Sequence, residues 1–150
     1  MLRRTALILS MLCVSVGLAA AQDFVREPLR VPFAAAGPRG LEAMLVRPAG
    51  NQRYPLALIS HGAPRNPQER ADISTGRYYR QAIEFARRGF AVLVLIRRGY
   101  GGSDGLYAES AGRCTVEAYL NSANESAQDL RAGIDAMRTR PDVSTQGMIA

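Results

Sequence analysis

The sequence contains no lysine: all nineteen of its basic residues are arginine. That absence excludes a phosphate-cradling P-loop, whose lysine reaches the nucleotide phosphates. Histidine and cysteine are almost as scarce, with His61 alone and only Cys13 and Cys114. One histidine and so few thiols make no ligand set for a metal, so neither a metal nor a cofactor is expected. The arginines fall singly or in pairs, and no cluster of them is interleaved with aromatics on which bases stack. Nucleic acid is therefore not an expected partner, and arginines paired with carboxylates on solvated faces are the default expectation.

Long apolar runs are also lacking beyond the first segment. Arg3 and Arg4 give a positive start, Ala6 to Leu18 is almost wholly apolar, and Ala19-Ala20-Ala21 offers a small-residue cleavage site. This pattern reads as a signal peptide over residues 1–21, with the mature chain starting at Gln22 and an exported, periplasmic or secreted destination. The apolar stretch is shorter than the ~20 residues a spanning helix needs, so no stable membrane anchor is expected. Leu12 before Cys13 is too bulky for a lipid-attachment signal. Loss of Arg3 and Arg4 lowers the net charge from +6 by two, to +4. Cys114 is then left as an odd cysteine, a free thiol or one whose partner lies outside this sequence. Nothing around Gly112-Arg113-Cys114-Thr115 argues for a lowered thiol pKa. Residues 22–150 suffice for one small domain.

Two extended segments, Leu29 to Ala35 and Leu41 to Arg47, flank Gly37-Pro38-Arg39-Gly40 and predict an antiparallel hairpin, with Pro32 marking the first segment as an edge. Pro55 to Ser60 (PLALIS) reads as a buried strand. A polar loop is expected from Gly62 to Gly76. Tyr79, Ala82, Ile83 and Ala86 then share one helical face, closed by Arg87, Arg88 and Gly89. Phe90 to Ile96 (FAVLVLI) is apolar on both alternations and predicts a strand buried on both faces. Strand, helix, strand at this spacing is a βαβ unit of a parallel sheet. After an irregular stretch, Ala127, Leu130, Ile134 and Met137 predict a second helix from about Ser122 to Arg138, with Ser122 or Asn124 as N-cap and Pro141 closing it. Gly147 to Ala150 opens a further apolar run.

Two glycine-rich patterns fail on context. Gly101-Gly102-Ser103-Asp104-Gly105 matches G-x-S-x-G, the strand-to-helix elbow that lifts a nucleophilic serine above a sheet. No sustained helical face follows it, and His61 precedes Ser103, whereas that fold orders its triad serine, acid, histidine. Ser103 is read as a loop residue. Gly99-Tyr100-Gly101-Gly102-Ser103-Asp104 places aspartate where a dinucleotide loop needs its third glycine.

His61-Gly62-Ala63-Pro64 is more informative, because it follows a buried strand at the end where open α/β sheets build their sites. The H-G-x-P turn, the helix, and the strand FAVLVLI leading into Arg98-Gly99-Tyr100-Gly101-Gly102-Ser103 together resemble the α/β-hydrolases. The second motif is similar to the R-G-x-G-x-S loop that shapes the pocket rim in that family. Glu125 to Leu130 and Arg138 to Val143 resemble the approach to the nucleophile strand in dienelactone-hydrolase-like and prolyl-oligopeptidase-like members. The resemblance implies an α/β fold consisting of an antiparallel lead hairpin and then parallel βαβ units, corresponding to the N-terminal portion of the family. Gly147 would open the nucleophile strand, with G-x-S-x-G, a carboxylate and a histidine to come after Ala150. It further implies that the backbone N–H of Ala63 is one oxyanion-hole donor, with His61 and Gly62 shaping the turn. No catalytic triad residue is expected within the sequence, and His61 is not expected to be a general base.

The functional expectation is thus a piece of an exported serine hydrolase that acts on a small-molecule ester or lactone, or on a peptide, through an acyl-enzyme, and that is inactive alone. A non-catalytic exported binding or structural module is the alternative.

Overall fold

In the computed structural model, residues 23–64, 66–113 and 116–150 are described, with only the backbone at 116 and 117. The leader at residues 1–21, Gln22 and Cys114 lie outside the described residues. The expectations of a cleaved signal and an odd thiol fall there.

The architecture is a five-stranded mixed sheet in the order β1-β2-β4-β3-β7. Its strands are β1 (Phe24–Val31), β2 (Leu41–Pro48), β3 (Tyr54–Ser60), β4 (Ala91–Leu95) and β7 (Val143–Ile149), while β5 (Gly112–Arg113) and β6 (Val116–Glu117) form a separate small hairpin. The first two strands pair antiparallel from Phe24↔Pro48 to Val31↔Leu41, and β2 continues antiparallel onto β4. From there β4, β3 and β7 run parallel. The segment expected as strand to Ala35 ends at Val31, before a 3-10 turn over Ala34–Ala36, while at its start β1 reaches back to Phe24 and takes in Pro28. Proline is tolerated there since β1 is the sheet edge and owes no ladder bond on its outer side.

Side-chain alternation sorts the core into two layers. Leu41, Leu45, Leu56, Leu58, Leu93 and Leu95 face one side, where Leu130, Ile134 and Met137 of α3 (Tyr119–Arg138) cover them. Met44, Val46, Ala57, Val92 and Val94 face the other, covered by Ala82 and Ala86 of α2 (Tyr79–Ala86). All five residues of β4 are buried, as a strand sandwiched between helices requires. Gly133 lets α3 lie close to the sheet: a Cβ there would sit 2.9 Å from the Leu95 Cδ2.

Four details differ from expectation. The stretch from Gly62 to Gly76 is not a plain loop, since it holds α1 (Pro67–Ala71) and the start of a 3-10 turn (Thr75–Tyr78). The Asn66 side chain caps α1 by accepting the Gln68 N–H at 2.9 Å, with proline next at the position where its missing N–H costs nothing. Helix α3 starts one turn early, at Tyr119, so neither Ser122 nor Asn124 is its N-cap. The Ala118 N–H bonds to the Ala111 carbonyl across the β5–β6 hairpin, which fixes this earlier start. Ala127 is exposed, whereas Asp129, two residues on and on another face of the helix, is fully buried. Finally, β7 begins at Val143 rather than Gly147. Among the described residues, no helix is long and apolar enough to cross a membrane.

Candidate active site

The sequence places His61-Gly62-Ala63-Pro64 where β3 ends, beside the C-terminal end of its parallel neighbour β4. β3 gives way to loop at His61 and β4 at Ile96, so the two loops start side by side. His61 is 6% exposed, whereas Gly62 and Ala63 are exposed.

The His61 ring is bonded on both nitrogens. Its Nε2 lies 3.0 Å from the backbone nitrogen of Arg97, which can only donate, so Nε2 must accept. Nδ1 therefore carries the proton and donates to the Gly62 carbonyl at 2.6 Å. The ring also meets Tyr100 edge-on, with centroids 4.4 Å apart. Burial lowers its pKa to about 4, and the nearby Arg97 charge acts in the same direction, against the Gly62 hydrogen bond, which raises it. A neutral ring held this way has no free nitrogen to take a proton from a nucleophile.

Arg97, at the end of β4, is buried under this turn. Its Nη1 donates to the Ser60 Oγ at 2.5 Å and to the His61 carbonyl at 2.6 Å, and its Nη2 approaches the Gly62 carbonyl at 3.4 Å. The opposite edge of the fork meets Glu109, through Nε to Oε1 and through Nη2 to Oε2 at 2.9 Å. Glu109 also accepts the Tyr100 hydroxyl at 2.8 Å. Burial pushes the Glu109 carboxyl pKa upward, but the Arg97 guanidinium and the Tyr100 hydroxyl outweigh it and hold the group below the usual range. For Tyr100 burial and the Glu109 charge act together, and its pKa is raised. The Glu109 backbone carbonyl accepts from the Tyr107 and Ser122 hydroxyls, each at 2.9 Å. Glu109 thus joins the β3 turn and the loop after β4 through its carboxylate, and the first turn of α3 through its backbone carbonyl.

These bonds set the direction of one peptide unit. The Gly62–Ala63 bond is trans, and in a planar trans peptide the C=O and N–H point opposite ways. With the Gly62 oxygen drawn to His61 and Arg97, the Ala63 N–H is turned away from them, and among the described residues it has no partner. A cavity of about 360 Å3 adjoins it, lined by Ala63, Arg70, Tyr107, Glu109, Ser110 and Ser122 among others. The Arg70 guanidinium stacks 4.0 Å over the Tyr107 ring at this wall. A larger cavity of about 720 Å3, between β1 and α3, shares none of these residues.

Ser103 takes no part. Its Oγ donates to the Ile96 carbonyl and accepts the Glu42 N–H at 2.8 Å, a buried brace between the glycine-rich loop and β2. The loop is packed too tightly for anything larger than glycine. A Cβ at Gly101, where φ is +48°, would fall 2.0 Å from the Ile73 carbonyl oxygen. Arg98 turns to the other side of the sheet end, where Asp129 accepts its backbone N–H at 2.7 Å and meets its Nε at 3.0 Å, while Glu125 takes its Nη2. Burial raises the Asp129 pKa against the opposing pull of Arg98. Arg97 and Arg98 are thus buried and paired rather than spread on a solvated face. Among the described residues no group of three histidine, cysteine or carboxylate side chains could hold a metal ion.

The chain superposes on an aminopeptidase from a marine sediment archaeon (Thaumarchaeota archaeon) with a TM-score of 0.51 and 19% identity, over 85% of this chain and 21% of that one. An α-amino acid ester hydrolase gives 0.50 and 18%, over 93% and 24% of the two chains. The fold is that of the α/β-hydrolases. A hypothetical protein from Pseudomonas aeruginosa is similar at 0.50 and 19%, over 97% of this chain and 40% of that one. The chain therefore spans well under half the length of these structures. No protein-family model matches the sequence, and no curated relative does. Within this fold the antiparallel pairing of the lead strands and the parallel pairing reached through α2 and α3 stand as expected, with the bounds of β1 and β7 shifted.

Proposed function

We propose that this chain is the first part of an exported serine hydrolase, of the dienelactone-hydrolase-like or prolyl-oligopeptidase-like kind. It would cleave an ester, lactone or amide bond in a small molecule or peptide through an acyl-enzyme. In this reading the Ala63 N–H is one of two donors to the oxyanion of the tetrahedral intermediate. A positioned donor of this kind contributes roughly 3 kcal/mol of transition-state stabilisation, because it needs no reorganisation when charge develops. The observation that carries the reading is the unpartnered Ala63 N–H, turned outward beside a cavity at the C-terminal end of parallel strands.

The nucleophile, acid and base are proposed to come from residues after Ala150. Among the described residues Ser103 is braced and His61 is occupied on both nitrogens, so the two do not form a serine–base pair. The reading is tested by translating the coding DNA past the codon for Ala150 and by treating the complete protein with a fluorophosphonate probe. A G-x-S-x-G soon after Ala150, labelled at its serine, is the expected result. Absence of any such motif, or label on Ser103, would falsify it.

A further inference from the structure

We infer that Arg97 and Glu109, acting through His61, are positioning residues that hold the Gly62–Ala63 peptide in the orientation that presents its N–H to a reacting oxygen. The inference rests on the oxyanion reading of Ala63. A peptide between a glycine and an exposed residue has two accessible orientations, related by rotating the whole unit. One puts the N–H outward and the other puts the C=O there, where a carbonyl would repel a developing oxyanion.

Three donors select the first orientation. His61 Nδ1–H and Arg97 Nη2 both bond the Gly62 carbonyl, and Arg97 Nη1 fixes the preceding carbonyl of His61. The ring itself is fixed by the Arg97 N–H at its other nitrogen, so both ends of one residue grip the turn. Glu109 determines where the guanidinium sits. Its two oxygens occupy Nε and Nη2, which leaves Nη1 and the far side of Nη2 aimed at the turn. A lysine at 97 would keep the charge but present no planar fork able to meet a carboxylate and two carbonyls at once.

Glu109 also lines the cavity beside Ala63, and its own carbonyl is tied to Tyr107 and Ser122. The pocket wall and the donor's orientation therefore share one ion pair. Movement of the wall would release the fork from the turn. This explains why charged groups that cost so much to bury are kept at the end of β4.

His61 is the only histidine in this chain, and in the complete protein its ring 15N NMR signal is identified by its loss in His61→Gln, so that it reports the grip. In the wild-type chain at neutral pH the proton is expected on Nδ1, the tautomer that free histidine disfavours. Glu109→Gln and Arg97→Lys keep the backbone N–H that holds Nε2 as an acceptor, so the ring should stay Nδ1–H while the Ala63 amide 1H–15N signal shifts or broadens as the freed peptide samples both orientations, with the β-sheet amide spectrum retained. An Ala63 amide signal unchanged in both variants, or an Nε2–H ring in the wild type, overturns the proposal. If Glu109→Gln does not fold, Arg97→Lys decides alone. In the complete protein acting on p-nitrophenyl acetate, both variants should lower kcat at least tenfold while KM stays within about threefold. Ala63→Pro, which removes the donor itself, separates the two ideas. Unchanged kcat in Ala63→Pro with an intact His61 signal means that the oxyanion reading has failed. Lowered kcat in Ala63→Pro with unchanged kcat in Glu109→Gln and Arg97→Lys means that the positioning role has failed.

Discussion

The backbone N–H of Arg97 donates to the Nε2 of His61 at 3.0 Å, joining the ends of two neighbouring parallel strands and committing the ring to its neutral form. A protonated ring could not accept that bond, and burial beside the Arg97 charge disfavours protonation further. The most conspicuous titratable residue of the sequence is therefore a strut.

The first prediction concerns pH. The folded pKa of His61 is lowered from 6.5 to about 4, so the unfolded chain binds the proton more readily. The stabilising contribution of the neutral ring is complete above pH 6.5 and is lost as pH falls from there to about 4. A shift of this size corresponds to on the order of 3 kcal/mol. Glu109 and Asp142, whose pKa values are lowered, lose their contributions at still lower pH, while Asp129, whose pKa is raised, works in the opposite sense. Titration of the His61 ring protons should give a midpoint near 4. A midpoint near 6.5 would contradict the buried strut.

Ser103 should matter to stability and not to chemistry. Ser103→Ala leaves the Glu42 N–H and the Ile96 carbonyl without their shared partner, a cost of about 1–3 kcal/mol in denaturant unfolding. Labelling by a fluorophosphonate should be unaffected. Loss of labelling with unchanged stability would restore Ser103 as a nucleophile.

Asp129 tests whether the second buried arginine is held the same way. The Arg98 and Asp129 side chains are 9% and 1% exposed, against 63% and 52% for Arg138 and Asp135. Asp129→Ala takes the carboxylate away from the buried Arg98 N–H and Nε and leaves Glu125 alone against the cation, which should cost about 1–3 kcal/mol, whereas Asp135→Ala should cost less than ~1 kcal/mol. Urea midpoints of the two variants decide this, and equal midpoints would count against a buried pair.

Much of the fold could be read in the sequence because its signals are local. FAVLVLI and PLALIS are continuous apolar runs, and Tyr79, Ala82, Ile83 and Ala86 repeat at helical spacing, so β4, β3 and α2 stand where the pattern put them. Helix α1 escaped because its five residues carry no apolar face; the Asn66-Pro67 pair was the available signal. The start of α3 depends on a hydrogen bond to the β5–β6 hairpin, and the inward face midway along it is marked by Asp129, a carboxylate that meets Arg98 and so carries no apolar signal, while Ala127 faces outward. At the site, His61, Gly62 and Ala63 were marked by their position after a strand. Arg97 could be read only as a rim residue or a salt-bridged surface one, and Glu109 was not marked at all, since a pair formed between two loops leaves no periodicity.

The central claim is that the Ala63 N–H is aimed at a reacting oxygen, and the most direct measurement is kcat of the complete protein carrying Ala63→Pro, with p-nitrophenyl acetate as substrate. Proline removes that N–H. The expected result is a kcat lower by roughly 10²–10³, the effect of deleting one oxyanion donor, with the His61 tautomer unchanged. A kcat within twofold of the wild type would contradict the claim.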